Sequence, residues 1–335
     1  MRQAKQDIVA VLGAGSWGTA LAFLASHNGL TTRLWARSAE VASSLTQAQE
    51  NVKYLPGASL QNVVVNADLE AVLQDAAWVV AAVPCNAVPA LATTLQTKLP
   101  SQAIVISGTK GLHSESGLRP AQLWAQRAAL PPERYVALSG PNLAKEIIAG
   151  VPTSTVVASQ AAGAAAAAQQ LFSTPSFRVY TNTDLIGVEL GGALKNVVAI
   201  AAGICDGLGF GDNSKAALIT RAWREMTRLA VALGAQEGTL FGLSGIGDLF
   251  ATCASPHSRN RTLGCYLASG ESLKEAQHDV AQVAEGVHTT RAALRLSQET
   301  GIELPITEQV GAILFEGRDP RVAVTELMRR QGCSE

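Results

Sequence analysis

The stretch Ile8-Val9-Ala10-Val11-Leu12-Gly13-Ala14-Gly15-Ser16-Trp17-Gly18 sets the fold of the first half of the chain. A short, continuous apolar run rich in β-branched residues predicts a strand buried on both faces. It runs directly into G-x-G-x-x-G, and a helical segment over 17–28 follows. Each glycine has a mechanical reason. Gly13 allows the tight turn, Gly15 lets the backbone approach a pyrophosphate, and Gly18 lets the helix pack against the strand. The amides of Ser16 and Trp17 open the helix and face the anion. In this strand–turn–helix setting the motif predicts a dinucleotide site.

The second strand bears on the nucleotide. An acid about 20 residues after the motif holds the ribose 2′-hydroxyl of NAD. Here the strand ends Leu34-Trp35-Ala36-Arg37, with no acid. Arg37 can meet a 2′-phosphate and stack on the adenine, so NADP is the preferred expectation and NAD is allowed.

Outward from this start, strands are expected at Thr32–Trp35, Val63–Val65, Trp78–Val83, Ala103–Ser107, Tyr135–Leu138, Thr153–Ala158 and Phe177–Tyr180. Helices at 39–50, 86–97, 117–129 and the Ala-rich 160–172 alternate with them, which predicts a parallel sheet with crossovers. Beyond Asp184 strand-like runs nearly vanish, and helices are expected at 186–205, 213–233, 273–284, 289–299 and 306–316. The expected division is 1–187, an α/β dinucleotide-binding domain, and 188–335, an all-helical substrate domain.

Composition excludes several classes. The 335 residues are 47% hydrophobic and carry a formal net charge of −1. That is too apolar for a disordered chain and too balanced for one held to nucleic acid by charge. Five cysteines (Cys85, Cys205, Cys253, Cys265, Cys333) form no C-x-x-C pair, and five histidines show no ligand spacing. Neither a disulfide framework nor a metal site is expected, and reduced thiols suit a cytoplasm. Arg2 and Lys5 before the apolar run from Ile8 to Ala25 imitate a secretory signal, but Asp7 and the glycines interrupt it. The most apolar segment, Leu185 to Cys205, contains Glu189 and Lys195, so no transmembrane helix is expected.

Two lysines point to chemistry. Lys110, in Ser107-Gly108-Thr109-Lys110-Gly111-Leu112, follows a strand, at the carboxyl edge where ligands of open α/β sheets gather. Lys195 lies in Gly187-Val188-Glu189-Leu190-Gly191-Gly192-Ala193-Leu194-Lys195-Asn196. On a helix its neighbours three and four positions away are Gly191, Gly192, Val198 and Ala199. None is acidic, so no salt bridge along the helix is available. The expectation is an amine on a face cleared by glycines, where a substrate lies, with burial easing proton transfer. Ser258-Arg259-Asn260-Arg261 is a dense set of phosphate donors, following Gly245-Ile246-Gly247-Asp248-Leu249.

With these stretches the chain resembles the bacterial-type NAD(P)-dependent glycerol-3-phosphate dehydrogenases, from Gly13 to about Glu316. The resemblance rests on Gly-Ala-Gly-Ser-Trp-Gly-Thr-Ala-Leu (13–21), Thr-Lys-Gly-Leu (109–112) and Ser-Gly-Pro-Asn-Leu-Ala-Lys-Glu (139–146). It rests further on residues 187–197, Asp-Gly-Leu-Gly-Phe-Gly-Asp-Asn (206–213), Gly-Asp-Leu (247–249), Thr-Cys (252–253), 258–261 and Ala-Glu-Gly (284–286). It implies a Rossmann-type parallel-sheet domain followed by an all-helical domain like the C-terminal part of 6-phosphogluconate dehydrogenase.

By the same resemblance, Lys195 is the catalytic proton donor or acceptor, and Lys110 touches cofactor and substrate. Gly140, Asn142, Asp248, Ser258, Arg259 and Asn260 surround the glycerol phosphate, with Asn196 and Thr252 beside them, and Asp248 is expected to orient a hydroxyl or a lysine. Ser16, Trp17, Arg37, Ala144, Arg259, Val283 and Glu285 line NADPH or NADH together with Gly13, Gly15 and Gly18. Dihydroxyacetone phosphate and sn-glycerol 3-phosphate are the implied substrates, feeding phospholipid synthesis. No metal, nucleic-acid partner or stable membrane insertion is implied, and a homodimer is allowed. Two other readings are a β-hydroxyacid-type dehydrogenase of the same architecture and a non-enzymatic NADP-sensing module. Departures from the family pattern are Leu143 for a usual Phe, Phe250-Ala251 for a more aliphatic pair, and Gly108 for a common Ala.

Overall fold

A computed structural model describes residues 8–280 and 283–329. Cys333 and the charges at Arg2, Lys5 and Asp7 lie outside the described residues. Two compact units are formed. The first comprises 1–110 and 120–188, the second 111–119 and 189–335.

The first unit holds β1 (Ile8–Leu12), β2 (Thr31–Trp35), β3 (Glu50–Asn51), β4 (Leu55–Ser59), β5 (Val63–Asn66), β6 (Trp78–Ala81), β7 (Ile104–Ser107), β8 (Tyr135–Ser139), β9 (Thr153–Ala158) and β10 (Phe177–Asn182). Eight of them form one sheet in the order β10-β9-β8-β7-β6-β1-β2-β5, and β3 and β4 make a separate hairpin. Between them run α1 (Ser16–His27), α2 (Ala39–Ala48), α3 (Leu69–Leu73), α4 (Val88–Leu95), α5 (Pro120–Ala128), α6 (Ala144–Ile148) and α7 (Ala162–Phe172).

The sheet is parallel except at one pair, β8 with β9. A parallel return needs a long crossover, usually through a helix. The segment between β8 and β9 holds only the five-residue α6, and the chain folds back instead. Val9, Val11, Leu21, Leu34, Val80, Ile106 and Val136 are buried in the core of this unit, as continuous apolar strands require. The hairpin β3–β4 and the short α3 and α6 were not expected from the sequence. Leu55-Pro56-Gly57-Ala58-Ser59 carries no alternation that marks a strand.

The second unit carries α8 (Leu185–Gly207), whose first turn belongs to the first unit, then α9 (Asp212–Ala232), α10 (Glu237–Leu240), α11 (Asp248–Ala254), α12 (Arg259–Ala268), α13 (Leu273–Asp279), α14 (Glu285–Thr300), α15 (Pro305–Glu316) and α16 (Pro320–Arg329). A π-helical turn at Leu243–Gly247 leads into α11. By length and composition α8 could cross a membrane, but 94% of its most apolar window is buried inside the protein. Its apolarity serves a core. Glu225 of α9 closes the start of α15: its carboxylate accepts from the amides of Ile306 (2.9 Å) and Thr307 (3.3 Å).

Candidate active site

In the first unit the glycine turn has the shape the sequence asks for. Gly13 has φ +115°, and a Cβ at Gly18 would lie 1.8 Å from the Gly13 carbonyl oxygen. Gly15 caps α1 without a side-chain hydrogen bond, and a Cβ there would meet nothing within 4 Å. No described protein atom crowds Gly15 at the start of α1. This fits a dinucleotide pyrophosphate.

The side chains of this turn are used for bracing. The Ser16 hydroxyl donates to the Tyr54 carbonyl (2.8 Å) and the Trp17 indole N–H to the Gly108 carbonyl (3.1 Å). A Cβ at Gly108 would stand 2.6 Å from that indole nitrogen, so the departure from Ala at 108 has a physical correlate. Trp17 and Ala144 pack on the same small cluster of Ala20, Leu55 and Ala58. Arg37 is exposed just beyond β2, next to Ser38, which caps α2 through the Val41 amide.

One residue here had escaped the sequence reading. Asn51 is buried, and its Nδ2 donates to the Ala14 carbonyl (3.0 Å) and to Thr19 Oγ1 (2.7 Å). Its Oδ1 accepts from the Tyr54 amide (3.2 Å). It pins the hairpin to the glycine turn. Its only sequence signal was a lone Asn in a polar stretch.

Lys110, after β7, donates from Nζ to the Gly140 carbonyl (2.7 Å). Asn142 donates to Thr155 Oγ1 (3.0 Å), and that hydroxyl donates to the Ser139 carbonyl (2.8 Å). Lys110, Gly140 and Asn142 are thus linked at the carboxyl ends of β7 and β8.

In the second unit the expectation for Lys195 needs correction. Its helix indeed offers no acid, but an acid comes from α11. Lys195 Nζ donates to Asp248 Oδ1 (2.9 Å) and to Thr252 Oγ1 (2.6 Å). The pair is deeply buried, with side-chain exposures of 9% and 3%. The space beside Gly191 is not vacant either. A Cβ there would lie 2.9 Å from the Ser244 carbonyl oxygen and 3.2 Å from Gly245 Cα. The glycine admits the backbone of the π-helical turn, and that turn delivers Asp248. Thr252 in turn donates to the Asp248 carbonyl (2.6 Å). An ammonium has three donors. Two are committed, which leaves one free among the described residues.

Beside it, Asn260 is buried with its amide spanning Asn196 Oδ1 (2.9 Å) and the Gly286 amide (2.9 Å). Ser258 caps α12 by accepting from the Arg261 amide (3.3 Å). Arg261 points elsewhere, to Asp206 (2.6 Å), which also accepts from Lys215 (2.8 Å). Asn260 and Ser258 thus also tie this segment together from within. Arg259 keeps accessible surface but is densely surrounded. Desolvation lowers its guanidinium pKa, and Glu285 opposes that shift. Val283 is exposed just ahead of α14. Burial raises the Cys253 thiol, the next residue after Thr252, to about 12, the charge of Lys195 partly opposing, which keeps it inert. No group of His, Cys, Asp and Glu that could hold a metal occurs among the described residues.

A dinucleotide-binding sheet unit and a helical unit carrying a buried, carboxylate-held lysine define a class: nicotinamide-dependent dehydrogenases of two-unit architecture. Comparison with known proteins narrows this. The family models for the N-terminus and the C-terminus of NAD-dependent glycerol-3-phosphate dehydrogenase match residues 8–165 and 184–325. A glycerol-3-phosphate dehydrogenase, NAD(P)+, of Pelotomaculum thermopropionicum is 49% identical over 96% of this chain and 93% of its own. One from Moorella thermoacetica is 47% identical, covering 98% of each chain. The crystal structure of glycerol-3-phosphate dehydrogenase from Coxiella burnetii superposes with a TM-score of 0.93 at 38% identity, covering 97% of this chain and 99% of that one. The chain belongs to the NAD-dependent glycerol-3-phosphate dehydrogenase family.

Proposed function

We propose that the protein reduces dihydroxyacetone phosphate reversibly to sn-glycerol 3-phosphate with NAD(P)H, and that Lys195 is its proton donor. The observation that carries the second part is the buried ammonium held by Asp248 and Thr252, with one donor uncommitted among the described residues. When bound, the reduced nicotinamide supplies a hydride to the carbonyl carbon. Negative charge then grows on the carbonyl oxygen. Lys195 offsets that charge and gives up a proton to it. Asp248 fixes the amine and lowers the cost of burying its charge. Lys110 adds a second positive charge, and Arg259 with Ser258 and Asn260 holds the phosphate so that the reacting carbon is oriented. Gly140 and Asn142 bind the substrate. Gly13, Gly15, Gly18, Ser16, Trp17, Arg37, Lys110, Ala144, Arg259, Val283 and Glu285 hold the cofactor.

NADPH is the preferred cofactor in this reading, because Arg37 stands where an acid would select NAD. The domain division at 187/188, a cytoplasmic site of action without membrane insertion, and a homodimer belong to the same reading. The buried free thiols of Cys85, Cys205 and Cys253 suit a reducing compartment. Sedimentation tests the dimer. The test of function is the absorbance of NADPH, and separately of NADH, on addition of dihydroxyacetone phosphate. Oxidation with this substrate and none with 3-hydroxyacid precursors supports the reading. Tight NADPH binding without turnover would favour a sensing module.

A further inference from the structure

Thr155 takes no part in the chemistry above, yet the loop Ser139-Gly140-Pro141-Asn142 is built around its hydroxyl. Thr155 is fully buried on β9. Gly140 has φ +139°, and a Cβ on it would lie 3.1 Å from both Cα and Oγ1 of Thr155. The hydroxyl has one proton, and it is spent on the Ser139 carbonyl (2.8 Å). Toward Asn142 it can therefore only accept. The Asn142 amide must turn its Nδ2 to Thr155 (3.0 Å). What remains is Asn142 Oδ1, which is buried and has no hydrogen-bond partner among the described residues. A buried acceptor left unmatched is costly and calls for a donor.

We propose that Thr155 is a positioning residue that locks the Asn142 amide with its oxygen toward the substrate, so that this position reads a hydroxyl group and turns away phosphate oxygens. The inference rests on the proposed contact of Asn142 with substrate. A phosphate oxygen accepts and cannot satisfy Oδ1, whereas the free hydroxymethyl group of dihydroxyacetone phosphate donates. Without Thr155 the amide can rotate, present Nδ2, and lose that discrimination. The carbonyl that the Thr155 hydroxyl holds is that of Ser139, one residue before the Gly140 carbonyl that accepts from Lys110.

The experiment compares wild type, Thr155→Val, Thr155→Ser and Asn142→Ala on two substrates: dihydroxyacetone phosphate and its deoxy analogue, in which a methyl group replaces the hydroxymethyl. For Thr155→Val the expected KM for dihydroxyacetone phosphate rises roughly ten-fold. Little change is expected with the deoxy analogue or in NADPH affinity, and Thr155→Ser restores the wild-type value. An equal loss on both substrates would mean that Thr155 only holds the fold, and would overturn the proposal. Asn142→Ala separates the levels. If it discriminates between the substrates while Thr155→Val does not, the positioning role alone fails. If Asn142→Ala leaves both KM values unchanged, the substrate contact fails and the proposal with it. Should Thr155→Val not fold, Thr155→Cys, whose thiol is a weak acceptor, carries the same comparison.

Discussion

Replacing Asp248 by Asn tests how the amine of Lys195 is kept inside the protein. The change preserves shape and an oxygen acceptor but removes the negative charge 2.9 Å from Lys195 Nζ. At an effective dielectric of about 20, two unit charges at that separation attract by about 6 kcal/mol. Desolvation opposes this gain, and removing one partner of a buried pair costs about 3–5 kcal/mol because the other charge is left uncompensated. Exposures of 9% and 3% put this pair in the buried regime and not among surface bridges. Urea unfolding of the cofactor-free protein should show Asp248→Asn less stable by that amount. Lys195→Met should be destabilised similarly, and the double variant Lys195→Met/Asp248→Leu should recover most of the loss. A strongly non-additive cycle is the signature of direct coupling. A loss below about 1 kcal/mol for Asp248→Asn, or an additive double variant, would mean that the two charges are not coupled in a buried pair, because those are the values of a solvent-screened one.

The glycine turn separates two effects. Gly18→Ala forces a Cβ to 1.8 Å from a carbonyl oxygen and should lose about 1–3 kcal/mol or more in thermal unfolding. Gly15→Ala meets nothing and should unfold like wild type while NADPH affinity, measured by fluorescence titration, falls about ten-fold or more. Arg37→Ala should weaken NADPH roughly ten- to hundred-fold and NADH far less, as for a lost charged hydrogen bond; equal losses would argue against a contact with the 2′-phosphate. Burial raises Glu225 from 4.5 to about 7, against the pull of the Ile306 and Thr307 amides. The folded protein therefore holds this proton more tightly than the unfolded chain. The stability it contributes is complete below about pH 4.5, declines as pH rises, and is gone above about pH 7. The span is roughly 3 kcal/mol. Glu225→Gln should flatten that slope in denaturant titrations across this window.

The sheet was legible in the sequence because strands buried on both faces leave continuous apolar runs: Ile8–Leu12 and Thr153–Ala158 appear at the expected residues. The helix propensity of alanine also located α7 within an Ala-rich row. Neither signal revealed the reversal between β8 and β9, which depends on the length of a connection, nor the assignment of 111–119 to the second unit. At Lys195 local spacing exposed the residue but misread Gly191. Helical neighbours can show that no acid lies at positions three or four away. They cannot show that Asp248, 53 residues on, is brought there by backbone packed against Gly191. Asn51 and Thr155 were invisible for the same reason: their importance is in hydrogen bonds to distant backbone, which no composition or period encodes.

In this mechanism Lys195 delivers the proton. The direct measurement is the single-turnover rate of NADPH oxidation with saturating dihydroxyacetone phosphate for Lys195→Ala, alongside its NADPH dissociation constant. The expected rate is lower by about 10²–10⁴-fold, the range for loss of a general acid, with NADPH binding within a few-fold of wild type. A rate within a few-fold of wild type would contradict that role of Lys195.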